Sequence, residues 1–250
     1  MNTSNMLYHY CTLEKAVELI LPEYKLLVND IIKTNDPREN KIFPITFKYS
    51  KLVDSLNDKN DINSKKIEVS NELKKGCKIL FFYVNNNILG YEISPMWAHY
   101  GSKHKGVCLE IDKEKFIREN LCESKNTIEI NPAYLRKINY NDYIGAISVD
   151  YDMVKSTASK KYIEQLRNEN IEKLYFTKLS DWSYESEYRL LHISKNTENE
   201  YCSIRDSLNS IYLGVDFFLP FAETIKKICP NIQMHLLIYV EGRMHPQSYR

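Results

Sequence analysis

Apolar and polar positions along this chain keep the periods of short strands and amphipathic helices. Met6-Leu7-Tyr8-His9-Tyr10 is a short apolar run and predicts a strand. Thr12 then offers an N-cap. Leu13, Ala16, Val17, Ile20 and Leu21 follow at helical spacing until Pro22 stops the pattern. Lys25 to Asn29 predicts a second strand, and Asn35-Asp36-Pro37 predicts a turn. Lys78 to Val84 is the most β-like run of the N-terminal half. Gly106 to Ile111 reads as a further strand, after which Asp112 caps a helix running to about Leu121. Arg136 to Tyr140 predicts a strand, and Ile163, Leu166, Ile171 and Leu174 carry helical spacing. Tyr188 to Ile193 alternates as a strand. Ile211 to Val215, the helix around Phe218-Phe221-Ala222-Ile225, and His235 to Val240 form a closing β–α–β unit.

Strands and helices that mix without regular alternation indicate an α+β fold, with a mixed or antiparallel central sheet flanked by helices. The pattern is read as one domain over residues 1–250, with a polar insertion at about 50–75 centred on Asn57-Asp58-Lys59-Asn60-Asp61. Trp97, Val107, Leu109, Ile111, Tyr188, Leu190, Ile211 and Leu213 are expected in one core sheet region. Of the two tryptophans, Trp182 is expected to be the structural anchor.

Composition narrows the function classes. With 250 residues, 43% hydrophobic and 27% charged, the chain is neither disordered, collagen-like nor a disulfide scaffold. The 34 Lys+Arg against 33 Asp+Glu give a net charge of +1, so the total announces no strong nucleic-acid binding. Only 7 glycines are present, and neither a G-x-G-x-x-G nor a Walker A loop can be written. The surplus of Tyr, Asn, Ile and Lys reads as codon bias and carries no functional weight. Among the six cysteines no two lie closer than 14 residues, so there is no C-x-x-C metal knuckle. No basic-then-apolar leader and no apolar run of roughly 20 residues is found, which predicts a cytoplasmic protein with reduced thiols and no membrane partner.

Three polar-aromatic clusters are candidates for chemistry. They are Leu7-Tyr8-His9-Tyr10, then Met96-Trp97-Ala98-His99-Tyr100-Gly101, then Trp182-Ser183-Tyr184-Glu185-Ser186-Glu187-Tyr188-Arg189 with Lys178 upstream. On a strand, Glu185 and Glu187 would share one face, and repulsion would raise the pKa of one of them, which suits acid–base work or stabilisation of a developing cation. The same spacing also fits a solvated edge strand in which Glu187 pairs with Arg189. His9 between two tyrosines equally fits a hydrogen-bonded structural histidine, and Trp97 and Tyr100 fit core aromatics. His99 and His104 lack zinc spacing, H-E-x-x-H is absent, and no metal site is expected. No G-x-S-x-G elbow is present.

Taken together, the clusters resemble an uncharacterised bacterial family, domain-of-unknown-function family 2971. The family's motifs are matched by Leu7-Tyr8-His9-Tyr10, by Asn35-Asp36-Pro37-Arg38-Glu39, and by Met96-Trp97-Ala98-His99-Tyr100 with Gly106-Val107-Cys108-Leu109-Glu110-Ile111-Asp112. Lys178 with Trp182 to Arg189 completes the set, so the resemblance spans about residues 7 to 215. The family's C-F-S-like strand is replaced here by Ile79-Leu80-Phe81-Phe82-Tyr83. The order His, aromatic element, then Glu-x-Glu is also similar to the ADP-ribosyltransferase fold, which binds NAD without a Gly-rich loop. That resemblance implies a cytoplasmic NAD-consuming transferase, of the kind found among toxins and anti-phage defence effectors. Its partners would be a small nucleotide substrate and an unidentified macromolecular acceptor or inhibitor. It implies Glu187 as catalytic carboxylate, Glu185 orienting the acceptor (the two could exchange roles), and His9 holding a ribose. Tyr100 would stack on the ligand, with Tyr10, Trp97, His99, Asn35 and Arg189 around it. Two alternatives stay open: a non-catalytic ligand- or protein-binding module, and a metal-dependent nuclease using Asp36, Glu39 and the Glu pair.

Overall fold

The protein is described by a computed structural model over residues 5–48, 59–84, 89–124, 127–157 and 159–249. Ten strands form the main sheet: β1 (Met6–Cys11), β2 (Lys25–Asp30), β4 (Cys77–Tyr83), β5 (Val107–Asp112), β6 (Leu135–Lys137), β10 (Glu187–Ile193), β11 (Glu200–Ser203), β12 (Leu208–Leu213), β13 (Gln233–Val240) and β14 (Arg243–Tyr249). Two small parallel pairs flank it, β3 (Ile45–Lys48) with β8 (Ile147–Asp150), and β7 (Asn139–Asn141) with β9 (Thr177–Leu179). Within the main sheet every pairing is antiparallel except β12 with β13. The α+β architecture with a mixed, largely antiparallel sheet is therefore as the sequence pattern predicts. The closing β–α–β unit is the parallel exception.

Alternation along the strands divides the sheet into two faces. Leu7, Val107, Leu109, Ile111, Leu190, Ile211 and Leu213 bury together on one face, with Tyr188 packed against them, beneath the first helical segment and the helices Lys113–Glu119 and Ala222–Ile228. Thr12 caps that first segment, whose second half, Ala16–Ile20, widens into a π-helical turn. The opposite face carries two clusters. Ile79, Leu191 and the helices around Val69, Leu166 and Leu174 form one, while Tyr8, Tyr10, Tyr83, Met96 and Trp97 form the other. Trp97 thus sits on the far side of the sheet from the strand residues with which it was expected. It is fully buried, and its indole N–H donates to the Tyr91 carbonyl at 2.8 Å. Trp182 is only half-buried, so the anchoring tryptophan is Trp97, not Trp182.

Of the expected polar insertion, Lys59–Lys74 is a helix that buries Val69 and Leu73, and residues 49–58 lie outside the described residues. The N-terminal leader reading falls partly on residues 1–4, also outside them. No disulfide joins the six cysteines. Among the described residues no helix is long and apolar enough to cross a membrane.

β4 places the site. One of its edges pairs with β10 along its whole length. The other edge is shared: β2 holds it at Lys78 and Ile79, and β1 holds it at Tyr83. Between those two contacts β1 and β2 diverge, and the sheet is split.

Candidate functional site

A cleft of about 910 Å³ opens at the split, within the size range of small-molecule sites. Its lining includes His9, Tyr10 and Cys11 of β1, Leu26 and Leu27 of β2, Phe81 and Tyr83 of β4, and His99 and Tyr100 from the end of the helix Ser94–His99. Splitting a sheet leaves strand edges without a neighbouring strand, and their polar groups need other partners. The His9 side chain supplies one: its Nδ1 lies 3.0 Å from the Phe81 carbonyl oxygen. Because a carbonyl only accepts, Nδ1 carries the proton and Nε2 is left as an acceptor. Burial pushes the imidazole pKa down, against the carbonyl contact that favours protonation, and this keeps His9 neutral.

Tyr10 bonds the Gly90 carbonyl and meets Trp97 edge-on at 5.0 Å and Tyr83 at 5.4 Å. Tyr100 stands between the cleft and a buried seam of charge. Its hydroxyl donates to Glu185 Oε1 at 2.6 Å, and Asn35 reaches the same hydroxyl at 3.5 Å. Behind it, Lys178 Nζ lies 2.8 Å from Glu185 Oε2 and 2.7 Å from Glu187 Oε2. Arg189 Nε bonds Glu187 Oε1 at 2.5 Å, and Arg189 Nη1 bonds Glu39 Oε1 at 2.6 Å and the Tyr175 carbonyl at 2.7 Å. All five charged residues are at most 4% exposed. Burial alone would raise the Glu187 carboxyl, but Arg189 and Lys178 outweigh it and hold the pKa below the ordinary range. Lys178 loses solvation too, yet Glu187, Glu39 and Glu185 hold its pKa above the ordinary lysine value. Burial and Glu185 keep the Tyr100 hydroxyl protonated as a donor.

The predicted residues therefore separate into two groups. His9, Tyr10, His99 and Tyr100 line one cleft. Glu185, Glu187 and Arg189 lie in the seam, joined to the cleft through Tyr100. Asn35 is exposed beside Tyr100, and Trp97 supports the cleft through Tyr10 from within the core. The expected geometry of the Glu pair needs correction. Ser180–Glu185 is a 3₁₀ segment, Ser186 is left-handed at φ 45°, and the strand begins only at Glu187. The two carboxylates meet across Lys178 rather than along one strand face, and the expected raised pKa is a lowered one at Glu187. The Glu187–Arg189 pair exists but is buried, on a strand flanked by β4 and β6 rather than at a solvated edge.

Sequence reasoning assigned Lys178 no role, although it was visible seven residues before Glu185. Tyr140, whose hydroxyl accepts from the Glu187 amide at 2.9 Å, gave no signal at all. Asp36 caps the helix Pro37–Asn40 by accepting from the Arg38 amide, and burial beside Glu39 raises its carboxyl pKa. Lys178 and Arg189 occupy the spaces between the carboxylates that a nuclease metal would need. Among the described residues, no group of three or more His, Cys, Asp or Glu is arranged to hold a metal ion.

Residues 96–190 match the family described as Protein of unknown function (DUF2971), the family that the aromatic and acidic motifs resemble. The matched stretch holds His99, Tyr100, Lys178, Glu185, Glu187 and Arg189, whereas His9 and the Asn35–Glu39 turn precede it. No curated protein and no solved structure matches the chain.

Proposed function

We propose that the split-sheet cleft binds NAD and that the protein cleaves its nicotinamide–ribose bond, as an ADP-ribosyltransferase-type enzyme. The observation that carries the reading is the junction of an aromatic cleft with a buried carboxylate through one hydroxyl, Tyr100 to Glu185. In this reading His9 Nε2 accepts a hydrogen bond from a ribose hydroxyl. Tyr10, Tyr83 and Tyr100 offer ring surfaces. When the bond to nicotinamide breaks, its electron pair leaves with nicotinamide and the anomeric carbon becomes cationic, until a hydroxyl of the acceptor or of water adds to that carbon and gives up its proton to solvent. A fixed carboxylate stabilises that charge.

Of the two glutamates, Glu185 takes this role because Tyr100 links it to the cleft. Glu187 is a positioning residue whose charge holds Lys178 against Glu185. A second reading, ligand binding without catalysis, is favoured by one fact: neither Glu185 nor Glu187 lines the cleft, and both oxygens of each are already engaged, Glu185 by Tyr100 and Lys178 and Glu187 by Lys178 and Arg189. Nicotinamide release, followed by chromatography, separates the two. Glu185→Gln is expected to lower turnover on the order of 10²–10³-fold while NAD binding persists by calorimetry. Equal turnover in both proteins overturns the Glu185 assignment. NAD binding with no release in wild type leaves the binding reading, and no NAD binding by the folded protein overturns both.

A further inference from the structure

A tyrosine hydroxyl taken into a protein interior normally finds a partner, because an unpaired O–H there is costly. At the inner end of the cleft Tyr10 follows this rule with the Gly90 carbonyl, and Tyr100 follows it with Glu185. Tyr83 does not. It is only 4% exposed, yet its hydroxyl makes no hydrogen bond among the described residues. The carboxylates beside it are engaged elsewhere. Glu185 is held by Tyr100 and Lys178, and Glu187 by Lys178 and Arg189. Tyr83 lines the cleft, so its hydroxyl is left to whatever the cleft contains.

The position of this hydroxyl is fixed by the fold. As the last residue of β4, Tyr83 stands opposite Tyr8 of β1 and Glu187 of β10, where three strands meet. Its ring meets Tyr10 edge-on at 5.4 Å and Tyr100 at 5.9 Å. Burial, with Tyr100, Glu185 and Glu187 close by, keeps the phenol protonated. Tyr83 is therefore a rigid, uncharged donor next to the carboxylate assigned to the reacting end. The rings around it suit a flat aromatic group. The neighbouring carboxylates disfavour an anionic acceptor such as a phosphate, whereas a carbonyl oxygen is a neutral one.

We propose that the Tyr83 hydroxyl donates a hydrogen bond to the carboxamide carbonyl of the nicotinamide ring, and so sets which pyridine the inner cleft accepts. The choice of ring rests on the NAD reading above. The assignment of Tyr83 as the donor rests on its buried, unpartnered hydroxyl.

The test titrates the full chain with two small probes, nicotinamide and 3-methylpyridine, which has the ring without the carbonyl. Binding is followed by ligand-observed NMR at a pH where both probes are uncharged. Wild type should prefer nicotinamide by about ten-fold, the effect of one well-made hydrogen bond. Tyr83→Phe keeps the ring contacts and removes only the hydroxyl. It should lose that preference and bind 3-methylpyridine as wild type does. No protein group is left unpaired by the change, so the melting temperature of Tyr83→Phe should not fall. A fall would reveal a protein partner for the hydroxyl and overturn the proposal. So would an unchanged preference in the variant, or no binding of nicotinamide by the folded wild type. Calorimetry with NAD on the same preparations judges the NAD reading separately. A preference for nicotinamide that depends on Tyr83, in a protein that does not bind NAD, keeps this assignment and overturns that reading.

Discussion

Among single residues, Glu187 has the most physical consequence, and it is almost fully buried. It joins a set of three carboxylates, Glu39, Glu185 and Glu187, and two cations, Lys178 and Arg189, all removed from water. Breaking such a network on one side leaves uncompensated buried charge, which typically costs about 3–5 kcal/mol. Because its folded pKa is depressed, Glu187 stabilises the protein above the unfolded carboxyl value of roughly 4.3. That contribution is lost as pH falls from there through the lower folded value. Glu187→Gln should therefore lose about 3–5 kcal/mol at neutral pH and show a flatter stability curve across the acid window than wild type. Urea denaturation at stepped pH measures this, and two parallel curves would show that the ion pairs do not set acid stability. The pairing of Glu187 with Arg189 was legible in the sequence because residues i and i+2 of a strand share a face. The burial of the pair was not legible. It depends on Glu39 and Tyr175 arriving from distant parts of the chain.

At the scale of elements, legibility followed amphipathic pattern. β1, β2, β4, β5, β10, β12 and β13 were all predicted close to their observed bounds, since each alternates or runs apolar between turn signals. β14 was missed because Arg243–Tyr249 is polar, mostly exposed and interrupted by Pro246, as an edge strand can be. β3 and β8 were missed because each is four residues long and gains its partner only across a hundred residues of chain. The placement of Glu185 and Glu187 on one strand face failed because alternation says nothing about Ser186. There the chain turns left-handed, and the Ser186 carbonyl accepts from the Val84 amide at 3.1 Å. An L-residue in that conformation bears a cost of roughly 1–2 kcal/mol that glycine avoids. Ser186→Gly retains that hydrogen bond and the one its own amide donates to the Ser183 carbonyl at 3.1 Å, so it should raise stability by roughly 0.5–1 kcal/mol after glycine's own entropy is set against it. Ser186→Val should destabilise, because a β-branched residue fits that region worst. Thermal melts of the two variants give the order Gly above wild type above Val, and a glycine variant below wild type would show that the turn is not strained.

The whole molecule is organised by a feature that no local pattern could predict, since the split in the sheet is a matter of register. β1 leaves β4 after Tyr83 and β2 joins it only at Ile79, so two lips face each other across β4. The apolar pattern of these strands would have suited a continuous sheet equally well. What the sequence did carry was His9, a polar ring in an otherwise apolar strand, and in the fold that ring meets the Phe81 carbonyl at the split. The two lips belong to different parts of the sheet, β2 with β11 on one side and β1 with β5, β12, β13 and β14 on the other. A ligand as long as a dinucleotide, seated in the cleft, has to contact both. Hydrogen exchange with and without saturating NAD should then slow amides near residues 9–12 and 25–29 together, along with residues 80–82 at the floor. The β13–β14 hairpin, which contributes nothing to the cleft lining, should exchange unchanged. Protection confined to one lip would mean a smaller ligand seated on a single edge. Protection spread evenly over the chain would mean that NAD stabilises the fold without occupying the split.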